Sequence, residues 1–412
     1  MRSDWRVTTI GEVAAFENRF RIPLSAEQRA DRKGHYPYWG ANGPFDMVDD
    51  YLFDGARVLV AEDGNTVVRS DGRGTVHWAT GRYWVNNHAH VLNVNNGHDL
   101  RWLFYALSSA RMRDYVTGSA QPKLSMGSLK RVSVLLPPRA EQQRIAWVLG
   151  RLDDKIDSNR RLAALLEETA AAIFKAQFVD FVGVEEFEDS DLGRIPRGWS
   201  VGVLGDLAEI AKTSIEPFST PDVRFEHFSI PAFDNGRYAD IENGREILSS
   251  KTLLPGGDCV LVSKLNPATK RVWLPRPTGE GPAICSPEFI VLVPKQGIPN
   301  SYLYALLTAD QRFYDELLAH VTGTTGSRQR VKPSAVLACR VLVPDSDALS
   351  DRNEVAQFAY EQTLSLLAEE RTLAAIRDTL LPKLISGEIR VPDTADPEEV
   401  IGPAAELVGA ST

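Results

Sequence analysis

The feature that most constrains this chain is that its frame is written twice. Trp5-Arg-Val-Thr-Thr-Ile10-Gly11-Glu12-Val13-Ala14 returns, with the same spacing, as Trp199-Ser-Val-Gly-Val-Leu204-Gly205-Asp206-Leu207-Ala208. Thr117-Gly118-Ser119 and Val132-Ser-Val-Leu-Leu-Pro137 return in the same order as Thr322-Gly323-Thr324 and Val341-Leu-Val-Pro344. Each copy then closes on a long helical pattern, near 141–179 and near 352–385. Three matches in one order mark a tandem duplication, and a repeat fixes the architecture before local propensity does. Between the shared ends, 15–116 and 209–321 show no clear mutual similarity. Both hold short β-like runs, such as Arg57-Val-Leu-Val-Ala61 and Asp258-Cys-Val-Leu-Val262, bounded by turn residues. The expectation is an α+β protein. Two different mixed α/β domains are set in one repeated helical frame with pseudo-twofold order.

Along the first helical pattern, Ile145, Val148, Leu152, Ile156, Leu162, Leu166 and Ile173 recur mostly three or four apart. In the second, Ala359, Leu366, Leu373 and Leu380 fall seven apart. Heptad-like spacing of this kind predicts a packed helical pair. One helix per copy suggests that the two pair with each other, antiparallel and coiled-coil-like. A helix over 141–179 rises about 58 Å at ~1.5 Å per residue. One turn of DNA is about 34–36 Å, so the pair suits a spacer.

Composition excludes several classes. The chain has 412 residues, 46 Lys plus Arg against 55 Asp plus Glu, and a net charge of −9. A uniformly basic nucleic-acid binder is ruled out, but a local patch is not. The acidity sits on the helices and tail, whereas residues 1–140 carry 18 basic and 14 acidic groups and 199–344 are neutral. Cys259, Cys285 and Cys339 lack the paired spacing of a disulfide framework or zinc site. No stretch approaches the ~20 apolar residues of a membrane span, and the start lacks a signal-peptide core. The expected setting is soluble and cytoplasmic, away from membranes.

Catalytic signatures are missing. There is no G-x-x-x-x-G-K-[ST] phosphate loop and no G-x-G-x-x-G after a strand. Asn266-Pro267 continues Ala-Thr, not the Pro-Pro-aromatic with which amino-methyltransferases grip a flipped base. Asp31-Arg-Lys33 and Asp153-Asp-Lys155 resemble the end of a nuclease metal site but follow no Pro-Asp at a suitable distance. His88, His90 and His98 read as surface or hydrogen-bonded groups, so no metal is expected.

The run Tyr36-Pro-Tyr-Trp-Gly-Ala-Asn-Gly43, with Val48-Asp-Asp-Tyr-Leu-Phe-Asp-Gly55, resembles a target recognition domain of type I restriction–modification specificity subunits. So do the hinge Leu192-Gly-Arg-Ile-Pro-Arg-Gly-Trp199 and the segments Phe228-Ser-Ile-Pro-Ala-Phe-Asp234 and Ser263-Lys-Leu-Asn-Pro267. The resemblance covers essentially 1–390. It implies a first recognition domain over 1–140, a helical spacer over 141–185, a second recognition domain over 186–345 and a helix over 346–390. An acidic, disordered tail over 391–412 lies outside it. It further implies that each domain reads half of a split double-stranded DNA target. The helices then dock two methyltransferase subunits and, in a full complex, two endonuclease/translocase subunits. S-adenosylmethionine, ATP and magnesium belong to those partners, and this chain is non-catalytic.

On that footing the loop Gly118-Ser119-Ala-Gln121-Pro-Lys123 and its counterpart with Thr324, Arg328 and Arg330 are the leading DNA-contact candidates. Glycine permits close approach, hydroxyls and amides donate to phosphate, and Lys123, Arg328 and Arg330 bring charge. In the first domain Tyr36, Trp39 and Asn42 are read as one face towards the bases, with Arg69, Arg73 and His88 as charged contacts. In the second, Lys264, Asn266, Lys270 and Arg271 cluster within eight residues at a strand-to-turn junction, where Arg and Lys suit guanine or phosphate and Asn suits adenine. Two other readings stay open. One is a self-contained DNA methyltransferase or nuclease with diverged motifs; the other is a scaffold that keeps only the helices.

Overall fold

The computed structural model describes residues 4–95, 97–118, 121–322 and 329–392. They form two compact units, one from Met1–Asp157 with Glu370–Thr412 and one from Ser158–Glu369. The division falls inside both long helices. The sequence boundaries cut the chain at the helix ends instead, because periodicity shows where a helix runs and not what each half packs on.

In the first unit, strand Arg6–Thr9 pairs antiparallel with Ser133–Leu136, and the short helix Ile10–Val13 follows. The Ile10 amide donates to Val132 O at 2.9 Å. A Cβ on Gly11 would stand 3.2 Å from Lys130 O, so this close approach is what the repeated glycine serves. A four-stranded antiparallel sheet runs in the order Ala14–Phe16, Ala89–Val94, Arg57–Ala61, Val76–Ala79. Val58, Val60 and Leu92 pack with Trp102 and Leu103 of helix Leu100–Ser109. Leu59 and Val91 face Tyr83 and Val85 of a second sheet. Burial on both faces explains the unbroken apolar run Val-Leu-Val-Ala. The second sheet runs Gly43–Val48, Lys33–Gly40, Arg82–Val85, Phe53–Asp54, with a parallel pair in its middle.

The second unit repeats this plan. Ser200–Val203 pairs with Arg340–Val343, the Leu204 amide donates to Cys339 O at 2.9 Å, and a Cβ on Gly205 would meet Leu337 O at 3.3 Å. One sheet runs Ala208–Ile210, Phe289–Pro294, Val260–Ser263, Val272–Trp273. The other runs Ser214–Ile215, Lys251–Leu253, Ala283–Cys285, Arg224–Phe228, Asp240–Asn243. Its parallel pair, Arg224–Phe228 with Ala283–Cys285, occupies the same place in the order. The two variable segments therefore share a topology that their sequences do not display.

The long helices are Arg139–Phe174, continued by a π-turn at Lys175–Val179, and Ser346–Ile385. In the first unit Ile145, Leu149 and Leu152 share a buried cluster with Ile376, Leu380 and Leu384. There Arg377 donates to Asp153 at 2.9 Å, and Asp153 also accepts the Tyr105 hydroxyl at 2.5 Å. In the second unit Asn159 donates to Glu369 at 2.9 Å, and Ala170 and Phe174 share a cluster with Ala356 and Tyr360. Rising numbers on one helix thus meet falling numbers on the other, which is the antiparallel pairing. Leu162, read as part of the seam, is 45 % exposed because a 3.6-residue helix drifts from a fixed repeat. The frame tryptophans sit alike. Trp5 donates to Glu141 at 2.9 Å and lies against Gly387, past the second helix. Trp199 lies 5.9 Å from Phe178, at the end of the first. Val391, assigned to the tail by sequence, is buried in the first unit's core, while 393–412 lie outside the described residues. Among the described residues no helix is long and apolar enough to cross a membrane.

Candidate nucleic-acid interface

In the first unit, strands Arg57–Ala61 and Val76–Ala79 are joined by an extended turn over 62–75. The loop after Thr117 folds onto that turn. Thr117 and Lys123 exchange backbone hydrogen bonds at 2.9 and 2.8 Å, the Gly64 amide donates to Pro122 O at 3.2 Å, and the Leu124 amide to Glu62 O at 2.8 Å. Gly118 has φ +88°, and a Cβ there would lie 2.4 Å from Gln121 O, so only glycine closes this loop. The Glu62 amide in turn donates to His88 O at 2.9 Å, which brings in the turn before strand Ala89–Val94.

The second unit builds the same edge from other side chains. Thr322 and Arg330 exchange backbone bonds at 2.9 Å each way. The Asn266 amide donates to Gln329 O at 2.9 Å, the Val331 amide to Lys264 O at 3.0 Å, and the Lys264 amide to Glu288 O at 2.9 Å. Asn266 stands at φ +47°, where the first unit has Gly64 at +100°. The main-chain scaffold is conserved between the copies while the groups it presents differ.

Those groups are Asn42, His88, Gln121 and Lys123 in the first unit. Asn42 accepts a hydrogen bond from the Thr66 hydroxyl, which ties the turn after strand Lys33–Gly40 to this edge. His88 Nδ1 lies 2.7 Å from Asp63, and Lys123 Nζ lies 3.6 Å from Glu62, which also binds Arg21 at 2.8 Å. His90 is buried beneath them. It donates Nε2–H to Leu124 O at 2.7 Å and accepts from Asn18 at 2.9 Å, and burial pushes its pKa down. In the second unit the edge presents Lys264, Asn266 and Arg330. Glu288 takes both forks of Arg330 at 3.1 and 3.2 Å and raises its pKa.

Other sequence candidates lie elsewhere. Tyr36 and Trp39 do not share a face with Asn42. Tyr36 packs beside Tyr38 and Trp84, whereas Trp39 points to the opposite side of its strand, between the sheets, near Tyr83. Residues three apart on a strand face opposite ways. Arg271 makes a bidentate pair with Asp234 at 2.7 and 2.9 Å, which raises its pKa, and Lys270 lies 4.1 Å over the Tyr314 ring. Both are held within the unit, as Arg330 is by Glu288, whereas Lys264 and Asn266 join the edge through their backbone amides. Arg69 and Arg73 stand at the far tip of the 62–75 turn. Ser119, Thr324 and Arg328 lie outside the described residues. Arg21, Asp63, Thr66 and Glu288 were missed, because their partners are distant in sequence. His88, His90 and His98 each bond other side chains or backbone, and among the described residues no group of three or more ligand-type side chains could hold a metal.

The family of type I restriction modification DNA specificity domains matches residues 2–168. A putative type I restriction enzyme specificity subunit of Haemophilus influenzae is 32 % identical over 149 residues, 36 % of this chain and 37 % of that protein. The MjaIX specificity subunit of Methanocaldococcus jannaschii is 27 % identical over 310 residues, 70 % of this chain and 69 % of that one. On these matches the chain is similar to type I restriction enzyme specificity subunits. In fold it is similar to the crystal structure of a type I S subunit from M. genitalium, with a TM-score of 0.60 and 16 % identity over 95 % of this chain and 97 % of that one. The alignment with the Haemophilus relative spans well under half of either protein. The family match covers the first unit's two sheets and most of the first long helix, which is the stretch that carries the Gly118–Lys123 edge.

Proposed function

We propose that this chain is the DNA sequence-specificity subunit of a type I restriction–modification complex, and that each unit reads one half of a bipartite duplex target through the edge just described. The observation that carries this reading is one main-chain scaffold, used twice, displaying Asn42, His88, Gln121 and Lys123 in one copy and Lys264, Asn266 and Arg330 in the other. Shared backbone with different side chains is what two readers of two sequences require. Two modest readers on one chain gain from effective concentration when their separation suits the site. Phosphate contacts set the register and base edges supply the sequence. The long helices are proposed to set the gap between half-sites.

The same helices are proposed to dock two methyltransferase subunits and, where the complex is complete, two endonuclease/translocase subunits. Trp147 and Phe358 support two equivalent docking positions. Trp147 is 44 % exposed and follows buried Ile145 and Ala146; Phe358 is 60 % exposed and follows buried Ala356. Each precedes a further buried residue, Val148 or Ala359, so the two aromatics hold matching places beside the seam. S-adenosylmethionine, ATP and magnesium would reside on those partners, in the cytoplasm, and this chain would select the site without performing the chemistry.

The test is modified-base sequencing of a host that carries the chain with its neighbouring methyltransferase, beside a deletion of this chain. Loss of methylation at one split motif is expected. Persistence of every modification, with no binding of the purified complex to random duplexes, would refute the reading.

A further inference from the structure

The two units differ at one place on this edge. In the first, the turn over 62–75 extends into a hairpin, with a bridge between Val68 and Gly74, whereas the corresponding turn of the second unit spans only 264–271. The segments 111–118 and 121–123 follow that hairpin in the opposite sense, with antiparallel bridges from Arg73 to Arg111 and from Asp63 to Lys123. The amides of Met112 and Arg113 both donate to Gly72 O, at 3.0 and 3.2 Å. This pairing gathers Arg69, Arg73, Arg111 and Arg113 at the tip. A Cβ on Gly72 would lie 3.7 Å from Arg111 Nε, so the guanidinium of Arg111 lies over the turn itself. Arg113 donates to Ser70 O at 3.1 Å.

Four guanidinium groups here face little opposite charge. Asp71 serves both Arg69, at 3.6 Å, and Arg73, at 3.9 Å, distances of loose pairs. The Arg69 side chain is 60 % exposed, and Arg111 and Arg113 are exposed. In the second unit the equivalent stretch is taken up by helix Gln311–Ala319, and Arg312 there pairs with Asp310 at 3.3 Å. Guanidinium forks match phosphate oxygens, and a cluster with spare positive charge gains by releasing counterions from a duplex. The tip is continuous with the reading edge, because the same two segments build both.

We infer that this arginine tip is a phosphate clamp for double-stranded DNA, and that it gives the first unit most of the chain's sequence-independent grip, with no counterpart among the described residues of the second. The inference rests on the DNA-reading function proposed above. It makes the two readers unequal: the first anchors the duplex, and the second adds selectivity to a duplex already held.

The experiment measures binding of the purified methyltransferase complex to a labelled mixed-sequence duplex between about 50 and 200 mM salt. Compared are the unaltered chain, the combined R69Q, R73Q, R111Q and R113Q variant, and the milder pair R69Q with R111Q. The slope of log affinity against log salt should become shallower by about 0.9 for each phosphate contact removed. The corresponding lysine variants should restore it, since charge and not fork geometry sets the slope. Unchanged slopes in both glutamine variants, on a complex that still binds, would overturn the clamp alone. Loss of methyltransferase capture with unchanged slopes would overturn it too, and reassign the tip to a protein surface. No binding by the unaltered complex would overturn the proposed function together with the clamp.

Discussion

Glu226 offers the sharpest test of how the second unit is held together. It lies on the inner strand Arg224–Phe228 and is 1 % exposed. Its carboxylate accepts three backbone amides from one loop, Thr278 and Gly279 at 2.7 Å and Glu280 at 3.1 Å. Hydrogen bonds to a charged group contribute about 1.5–3 kcal/mol each. The loop can turn part of its backbone to water once released, so Glu226→Leu should cost about 3–5 kcal/mol and not the full sum. Glu226→Gln is the internal control. Its carbonyl oxygen can stand where Oε1 accepts from Gly279 and Glu280, but its amide then faces the Thr278 N–H, so about half the loss is expected. At about 2–4 °C per kcal/mol for a unit of this size, the leucine variant should melt about 6–20 °C lower. Calorimetry of the full chain reads this directly. A leucine variant that melts within about 2 °C of the unaltered chain, or a glutamine variant as damaging as leucine, would show that the carboxylate does not anchor the loop.

Three further outcomes are expected. Gly11→Val forces a branched side chain against Lys130 O and should lower stability by about 1–3 kcal/mol in urea denaturation, and an unchanged midpoint would remove the close-packing account of the repeated glycine. His77 is buried and donates Nε2–H to Ala41 O at 3.0 Å, and burial holds its pKa below 6.5. The proton therefore favours the unfolded chain, so the stability it contributes is present above about pH 6.5 and is lost as pH falls below it. NMR should find its ring less than half protonated at pH 6.5, with a His77→Gln chain less sensitive to acid, and a ring half protonated at or above that pH would contradict this. Arg271→Gln breaks the bidentate pair with Asp234 and should cost about 1 kcal/mol or less while leaving the salt dependence of DNA binding unchanged. A shallower slope would put Arg271 back on the DNA.

The frame was legible because it repeats: Trp5 with Trp199, Gly11 with Gly205, and the loop after Thr117 with that after Thr322 hold matching places in both copies. The common topology of the two readers was not, because a strand asks only for a half-buried pleated surface that many sequences satisfy. Val58-Leu59-Val60 and Val260-Leu261-Val262 are equivalent strands with the same tripeptide, but so short an apolar match arises readily by chance and names no topology. At the edge, position in the repeat located Lys123 and Arg330. Charge counting then placed Lys270 and Arg271 there as well. What it could not show are their partners within the unit, Asp234 and Tyr314, which lie some forty residues away in the chain. The Tyr36 and Trp39 face failed on a rule visible in the sequence itself, since an odd separation on a strand sends two side chains to opposite sides.

The frame also sets an order of assembly on the ribosome. The second unit is continuous, Ser158–Glu369, but the first needs Glu370 onward to cover Ile145, Leu149 and Leu152 with Ile376, Leu380 and Leu384. More than two hundred residues must be made between the two parts of that core. At about 5–20 residues per second this takes roughly 10–40 s. During that interval the nascent first unit holds an uncovered apolar helix face, while the unit synthesised after it can already close. The unit that leads in sequence is the last to be completed.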